Sequence, residues 1–65
     1  MGANIREMRR RNAMTQEELA HEAGLSMMTL SRIERGESEP RASTLRKLAK
    51  ALEVKPRDLF GEDGL

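Results

Sequence analysis

The stretch that most constrains how this chain can fold runs from residue 15 to residue 36. Its pattern predicts two short helices that cross steeply at a tight turn, which leaves little room between them. Ala20 provides a small side chain at the crossing, and Gly24 can adopt the left-handed conformation that ends a helix. The residues able to close a shared core are Leu19, Ala23, Leu30 and Ile33. The stretch is therefore predicted to be a helix-turn-helix unit.

Length and composition limit what can surround this unit. The chain has 65 residues, no Cys, Trp or Tyr, and a single aromatic residue, Phe60, so its core must be aliphatic and Met-based. The lack of Cys removes a disulfide framework and a thiolate metal site. No apolar run approaches the roughly 18 residues of a membrane span. We expect one domain over residues 1–65, ordered over about 4–60, with a cytoplasmic location and neither a cofactor nor a membrane partner.

Capping patterns predict where the first two helices begin. Asn4 and Glu7 have the spacing of a capping box, which starts a first helix that runs to about Arg11. Thr15 and Glu18 repeat that spacing at the start of the second helix. Because helical signals continue along the chain and no strand candidate appears, the fold class is predicted to be all-α.

The remaining helices follow from similar signals. Ser26 is expected to cap the third helix, which runs over 26–35 and stops at Gly36. An apolar stripe with helical spacing predicts a fourth helix. Its members are Leu45, Leu48, Ala49 and Leu52. Pro56 suits the first turn of a short fifth helix over 57–60, which Gly61 would end. The prediction is therefore a compact five-helix domain.

The third helix has one face whose composition is unusual for a surface exposed only to water. Opposite its apolar side it carries Met28, Ser31, Arg32 and Arg35, and Met27 flanks this face at the start of the helix. In the major groove of DNA, Arg can donate two hydrogen bonds to guanine, and apolar side chains can contact thymine methyl groups. The alternatives are that the methionines fill gaps in the core and that Arg32 is an ordinary solvated residue.

Two further residues are candidates for phosphate contacts. Gln16 opens the second helix, where free backbone N–H groups and the positive end of the helix dipole favour a phosphate oxygen. Arg41 follows the loop after the third helix. The alternatives are an unremarkable polar residue in a first helical turn and an ordinary surface charge.

Arg9 is the unusual residue of the first helix. It shares a helical stripe with Ile5 and Met8, so its side chain should point towards the core, where a charge needs a partner. Glu34 flanks the buried side of the third helix and is the natural partner. The alternative is that Arg9 extends to solvent or to a DNA phosphate.

The sequence gives no support for catalysis. The single His21 is expected on the outer face of the second helix, with no Cys or second His to share a metal. Thr15 and Ser26 are explained as helix caps rather than as nucleophiles. No base, orienting group and cavity can be assembled from these residues, so we expect no enzymatic activity and no metal site.

Together these residues resemble the phage-repressor helix-turn-helix family, whose members are also called Cro/CI-like or XRE-like. The similarity covers about residues 4–60. It consists of Thr15-Gln16-Glu17-Glu18-Leu19-Ala20, Gly24, Ile33-Glu34-Arg35-Gly36, Pro40 and Leu48-Ala49-Lys50-Ala51-Leu52. So many fixed spacings make the match far more specific than a short motif alone.

The resemblance implies roles for several residues. It implies a five-helix DNA-binding domain in which Gln16 contacts phosphate and Arg9 and Glu34 form a bracing pair. It also implies that Met27, Met28 and Arg32 face base edges. Two features depart from the family pattern. The loop 37–39 is acidic where members are often basic, and Lys55 replaces a common capping residue, which predicts weaker phosphate binding and a less firmly held fifth helix.

The expected function is that of a sequence-specific transcriptional regulator, most simply a repressor, that reads double-stranded DNA with helix 26–35. Such proteins usually bind a near-palindromic operator as homodimers. The candidates for a dimer contact, which could equally complete the core, are Leu52, Val54, Leu59 and Phe60. The alternative function is a protein-interaction module of the same fold, such as an antitoxin or adaptor. RNA binding is less favoured because there is no aromatic platform for base stacking.

Overall fold

The computed structural model describes residues 1–60 and contains only helices in that range. Its α-helices are α1 (Gly2–Arg11), α2 (Gln16–Ala23), α3 (Met27–Glu34) and α4 (Ala42–Leu52). A 3₁₀ helix over Pro56–Phe60 follows them. The all-α prediction is confirmed. Within residues 1–60, no helix combines the length and hydropathy needed to cross a bilayer.

All five elements contribute to one apolar core. Its buried members are Ile5, Leu19, Ala20, Ala23, Leu30, Ile33, Leu45, Leu48, Ala49, Leu52 and Leu59. Met8 and Met14 are partly buried and pack against its edge. The expected aliphatic and Met-based core is therefore present, and it includes all four residues predicted to join α2 to α3.

Local capping fixes both ends of the helix-turn-helix. The Thr15 hydroxyl accepts a 3.0 Å hydrogen bond from the Glu18 backbone, and the Thr15 backbone N–H donates to the Glu18 carboxylate at 2.7 Å. Hydrogen bonding to Thr15 lowers the pKa of the Glu18 carboxyl, and the backbone N–H of Thr15 contributes more to this shift than its side chain does. Ser26 accepts from the Thr29 backbone at 3.1 Å, and Gly24 ends α2 at φ +69°. These three predictions from local sequence are confirmed.

The predicted start of α1 is wrong. The helix begins at Gly2 with Met1 as its N-cap, and no side chain caps it. Asn4 lies inside the helix, where its Nδ2 donates to the Asp58 carbonyl at 2.7 Å. The capping-box spacing was misleading because Asn4 has a partner 54 residues away in the sequence, which no local pattern reveals.

The fifth helix is a 3₁₀ helix and not an α-helix, so this part of the five-helix prediction is also wrong. The segment has only five residues, and the Asp58 backbone N–H donates to the Lys55 carbonyl at 2.9 Å, an i→i+3 bond. The Asp58 carboxylate accepts from the Lys55 backbone N–H at 3.0 Å. Asp58 therefore satisfies the backbone donor of Lys55. Gly61, the expected stop, lies outside the described residues.

Ala13 ends α1 in a conformation that normally favours glycine. Its φ is +54°, and the backbone N–H groups of Ala13 and Met14 donate to the carbonyls of Arg10 and Arg9. This is the Schellman pattern, in which the residue at the Ala13 position is usually Gly. An L-residue there costs about 1–2 kcal/mol because its Cβ approaches the following carbonyl.

We expect Ala13→Gly to raise the free energy of unfolding by about 0.5–1 kcal/mol, because relief of the Cβ conflict exceeds the added entropy of the unfolded chain. Urea denaturation measures this change. Gly24→Ala is the matched control, since φ is +69° there and a Cβ would meet no atom within 4 Å. It should lose about 1 kcal/mol through backbone strain alone. A loss of stability in Ala13→Gly would show that the strain at Ala13 is smaller than the cost of the added entropy of the unfolded chain.

Candidate nucleic-acid interface

The outer face of α3 is open to solvent. Met27 is 49% exposed and Met28 is 64% exposed, and Arg32 and Arg35 are also exposed. Ser31 is half-buried. The alternative in which the two methionines fill gaps in the core does not apply. Exposed thioether side chains therefore lie beside guanidinium groups on one side of the helix.

The opposite face of α3 is buried in the core. Leu30 is 0% exposed and Ile33 is 2% exposed, and they pack among the side chains of the other helices. An eight-residue helix is about 12 Å long, which is slightly more than two turns. Met28 and Arg32 are four residues apart, so they lie one above the other on the exposed side.

A buried ion pair joins α1 to the C-terminal end of α3. Arg9 Nε lies 2.8 Å from Glu34 Oε2, and Arg9 Nη2 lies 3.1 Å from Glu34 Oε1. The Glu34 side chain is 1% exposed and that of Arg9 is 12% exposed. The remaining Arg9 nitrogen donates to the Met14 carbonyl at 3.0 Å. This two-point geometry is the strongest form of an Arg–carboxylate contact.

Gln16 adds a third helix to the same carboxylate. Its Nε2 donates to Glu34 Oε1 at 3.2 Å, an oxygen that also accepts from Arg9. Glu34 thus links α1, α2 and α3. The sequence predicted Gln16 only as a phosphate contact, and the link to Glu34 was missed because the two residues are 18 positions apart. An amide nitrogen carries two N–H groups, so one remains available to another acceptor.

The other predicted phosphate and base contacts lie on the surface beyond α3. Arg35 pairs with Glu37 at 3.3 Å, and both side chains are more than half exposed. Such a pair contributes little energy, so Arg35 can exchange it for another anion. Arg41 is exposed and directly precedes α4, which has no side-chain cap at its N-terminus. The first backbone N–H groups of α4 therefore lie beside an arginine.

The remaining candidates have simple environments. His21 is exposed on α2, and residues 1–60 contain no group of His, Cys, Asp or Glu side chains suited to a metal ion. Leu52 and Leu59 are buried in the core, and Val54 packs against it. Phe60 is 40% exposed, so it is the member of the predicted dimer-contact set with the most apolar surface left for a partner.

The fold and this surface define a helix-turn-helix protein. The family model described as helix-turn-helix, HTH_3, matches residues 5–59. Because the match extends over most of the 65 residues, the chain belongs to this family. The resemblance to phage repressors is confirmed by the relatives and solved structures that match it.

Three similar proteins illustrate the family. A transcriptional regulator of the HTH type from Sinorhizobium fredii is 43% identical over 54 residues, which cover 83% of this chain and 70% of that protein. The immunity repressor of Bacillus phage phi105 is 37% identical over 65 residues, covering 100% of this chain and 45% of the repressor. The crystal structure of the P22 c2 repressor with synthetic operator 9T has a TM-score of 0.84 and 36% identity, covering 89% of this chain and 88% of that one. This chain therefore spans less than half of the phi105 repressor.

We expect the Arg9–Glu34 pair to show strong coupling in a double-mutant cycle. Arg9→Met leaves a buried carboxylate with only Gln16 as a side-chain donor and should cost about 3–5 kcal/mol. Glu34→Gln should cost less, because the 12% exposed Arg9 side chain keeps the Met14 carbonyl and access to water. The double variant should lose less than the sum, because no charge is then left without a partner. Urea denaturation at neutral pH measures all three values.

The surface pair of Glu7 and Arg11 provides the control for this cycle. The two groups are 2.9 Å apart, and their side chains are 60% and 73% exposed. Their coupling should be about 0.3–0.5 kcal/mol because water screens the charges. If the losses from Arg9→Met and Glu34→Gln simply added, the buried pair would contribute no coupling and would not brace α3.

Proposed function

We propose that this chain is a sequence-specific DNA-binding transcriptional regulator, most simply a repressor, that places α3 in the major groove. The observation that carries the proposal is the exposed Met and Arg face on a helix whose other face is buried and whose last residue is tied to two neighbouring helices. The similar proteins are regulators and repressors, and one is solved with an operator. They favour this function over an antitoxin or adaptor role.

The proposed base contacts come from the exposed side of α3. Arg32 has the donor geometry to read guanine O6 and N7, and Met28, one turn earlier, can contact a thymine methyl. Met27, Ser31 and Arg35 flank this pair and complete the proposed reading surface.

The proposed phosphate contacts lie at the beginnings of α2 and α4. Gln16 would use its second amide N–H for a phosphate oxygen while the first remains on Glu34. Arg41 would act together with the uncapped N-terminus of α4, where no acidic residue occurs in the first turn. Glu37 and Glu39 are exposed in the loop between α3 and α4 and oppose phosphate binding there.

We further propose that two copies bind a near-palindromic operator. The described part of the chain measures 28 × 23 × 19 Å, which suits one half-site when half-sites repeat about every 34 Å. Phe60 offers exposed apolar surface for contact with a second copy. Occupation of a promoter by such a dimer would repress transcription, and the protein would act in the cytoplasm, beside the DNA.

Selection of bound sites from random double-stranded DNA tests the proposed function. A defined near-palindrome should emerge, and the affinity for it should fall steeply with added salt because Lys and Arg displace counterions from phosphate. A scrambled duplex of equal length and composition is the control. Recovery of no preferred sequence, or binding that is insensitive to salt, would contradict the proposal.

The selected site also tests the role of Arg32. Arg32→Ala should cost about 1–3 kcal/mol of binding free energy and relax the preference at one base pair per half-site, because a two-donor contact to guanine is lost. Affinities for the selected site and its single-base variants measure both effects.

Gln16→Ala is the matched comparison for Arg32→Ala. It should weaken binding of the folded protein to all sequences by a similar factor and leave the base preference unchanged. Arg9 keeps both of its hydrogen bonds to Glu34 and holds α3 in place, and phosphate contacts carry no direct sequence information. An unchanged preference in Arg32→Ala would remove Arg32 from the reading surface. A loss confined to one base pair in Gln16→Ala would mean that Gln16 reads sequence.

A further inference from the structure

Gly2 makes an unusually close backbone approach between helices. It is buried in the first turn of α1, against the carbonyl groups at the C-terminal end of α3. A Cβ at this position would overlap the Ile33 carbonyl oxygen and would lie 2.8 Å from the Glu34 carbonyl oxygen. Any side chain on residue 2 would therefore collide with the backbone of α3.

The collision cannot be relieved by rotating a side chain. The nearest atoms belong to the backbone of Ile33 and Glu34, and ordinary Cβ contacts begin at 3.4 Å. The ends of α1 and α3 would have to separate by about 1 Å, since carbon and oxygen repel steeply below contact distance. Ile33 is 2% exposed in the core, which limits how α3 can move away.

Gly2 and the buried ion pair act on the same residue of α3. Gly2 and Arg9 are seven residues apart, so they lie on one face of α1, two turns from each other. Gly2 contacts the backbone of Glu34, and Arg9 binds its carboxylate. A separation of the two helices at Gly2 would therefore also alter the geometry of the ion pair.

We propose that Gly2 is a positioning residue for DNA recognition, because its missing side chain lets α1 set the angle at which the C-terminal half of α3 enters the groove. This inference rests on the proposed function. Gly2 has no side chain that could contact bases or phosphates. Its effect would act through the placement of Arg32 and Arg35.

The test compares the full chain with its Gly2→Ala variant on the DNA site selected by the wild-type protein. Affinity and base preference are measured under conditions in which urea denaturation shows each variant to be folded. We expect the affinity of folded Gly2→Ala to fall about tenfold, the size of one lost arginine contact to a base. The base pair assigned by Arg32→Ala should lose its preference most.

Two controls separate positioning from a general loss of stability. Leu48→Ala removes a fully buried side chain from the middle of α4, away from the proposed phosphate contacts, and should lower stability while the folded protein keeps its affinity within about twofold. Ala3→Ser changes the exposed neighbour of Gly2 and should alter neither property. If Gly2→Ala folds poorly, the measurement is repeated in the Ala13→Gly background, which is expected to be more stable.

The outcomes are distinct. Wild-type affinity and preference in folded Gly2→Ala would overturn the inference while leaving the proposed function intact. A variant that remains unfolded in both backgrounds would also overturn it, because Gly2 would then be required for folding rather than for placing α3. Failure of the wild-type protein to select any DNA sequence would instead contradict the proposed function.

Discussion

The Glu34 carboxylate is the group on which the arrangement of the first three helices depends. It is almost fully buried, and a buried charge is tolerated only when its hydrogen-bonding needs are met. Arg9 supplies two donors and Gln16 supplies a third. Because these donors come from different helices, the cost of burying the carboxylate is offset only when all three helices adopt their observed positions.

This dependence matters because α3 cannot maintain its own orientation. An eight-residue helix is too short to be stable in isolation, so its direction is set by tertiary contacts. Ser26 caps its first turn, Leu30 and Ile33 anchor it in the core, and Glu34 fixes its end. The outer face of α3 does not pack in the core, so Met28 and Arg32 are free to contact a ligand.

The sequence predicted the capping of α2 and α3 because local chemistry decides it. The capping roles of Thr15 and Ser26 and the left-handed Gly24 depend on neighbours within a few residues, and all were predicted. The spacing of Asn4 and Glu7 wrongly predicted a helix cap. The actual partner of Asn4 is a carbonyl on the 3₁₀ helix, which is too remote in sequence for a local pattern to reveal. The close approach of Gly2 was missed for the same reason, since its partner is the backbone of another helix.

The proposed site shows the same division. Periodicity placed Met28 and Arg32 on the outer face of α3 with Met27 beside it, and in the structure all three side chains are exposed. Periodicity also pointed Arg9 inward, and charge pairing suggested its partner. It gave no sign that Gln16 joins the same carboxylate, because polar side chains at helix starts have several equivalent local explanations.

The five methionines provide the most direct test that the outer face of α3 is the DNA-reading surface. The protein can be labelled with ¹³C at the methionine methyl groups and titrated with its selected DNA while NMR follows each resonance. The methyl signals of Met27 and Met28 should shift strongly, and those of Met8 and Met14, which pack against the core, should remain nearly unchanged. Unchanged Met27 and Met28 signals on saturation with DNA would show that another surface binds it and would contradict this account.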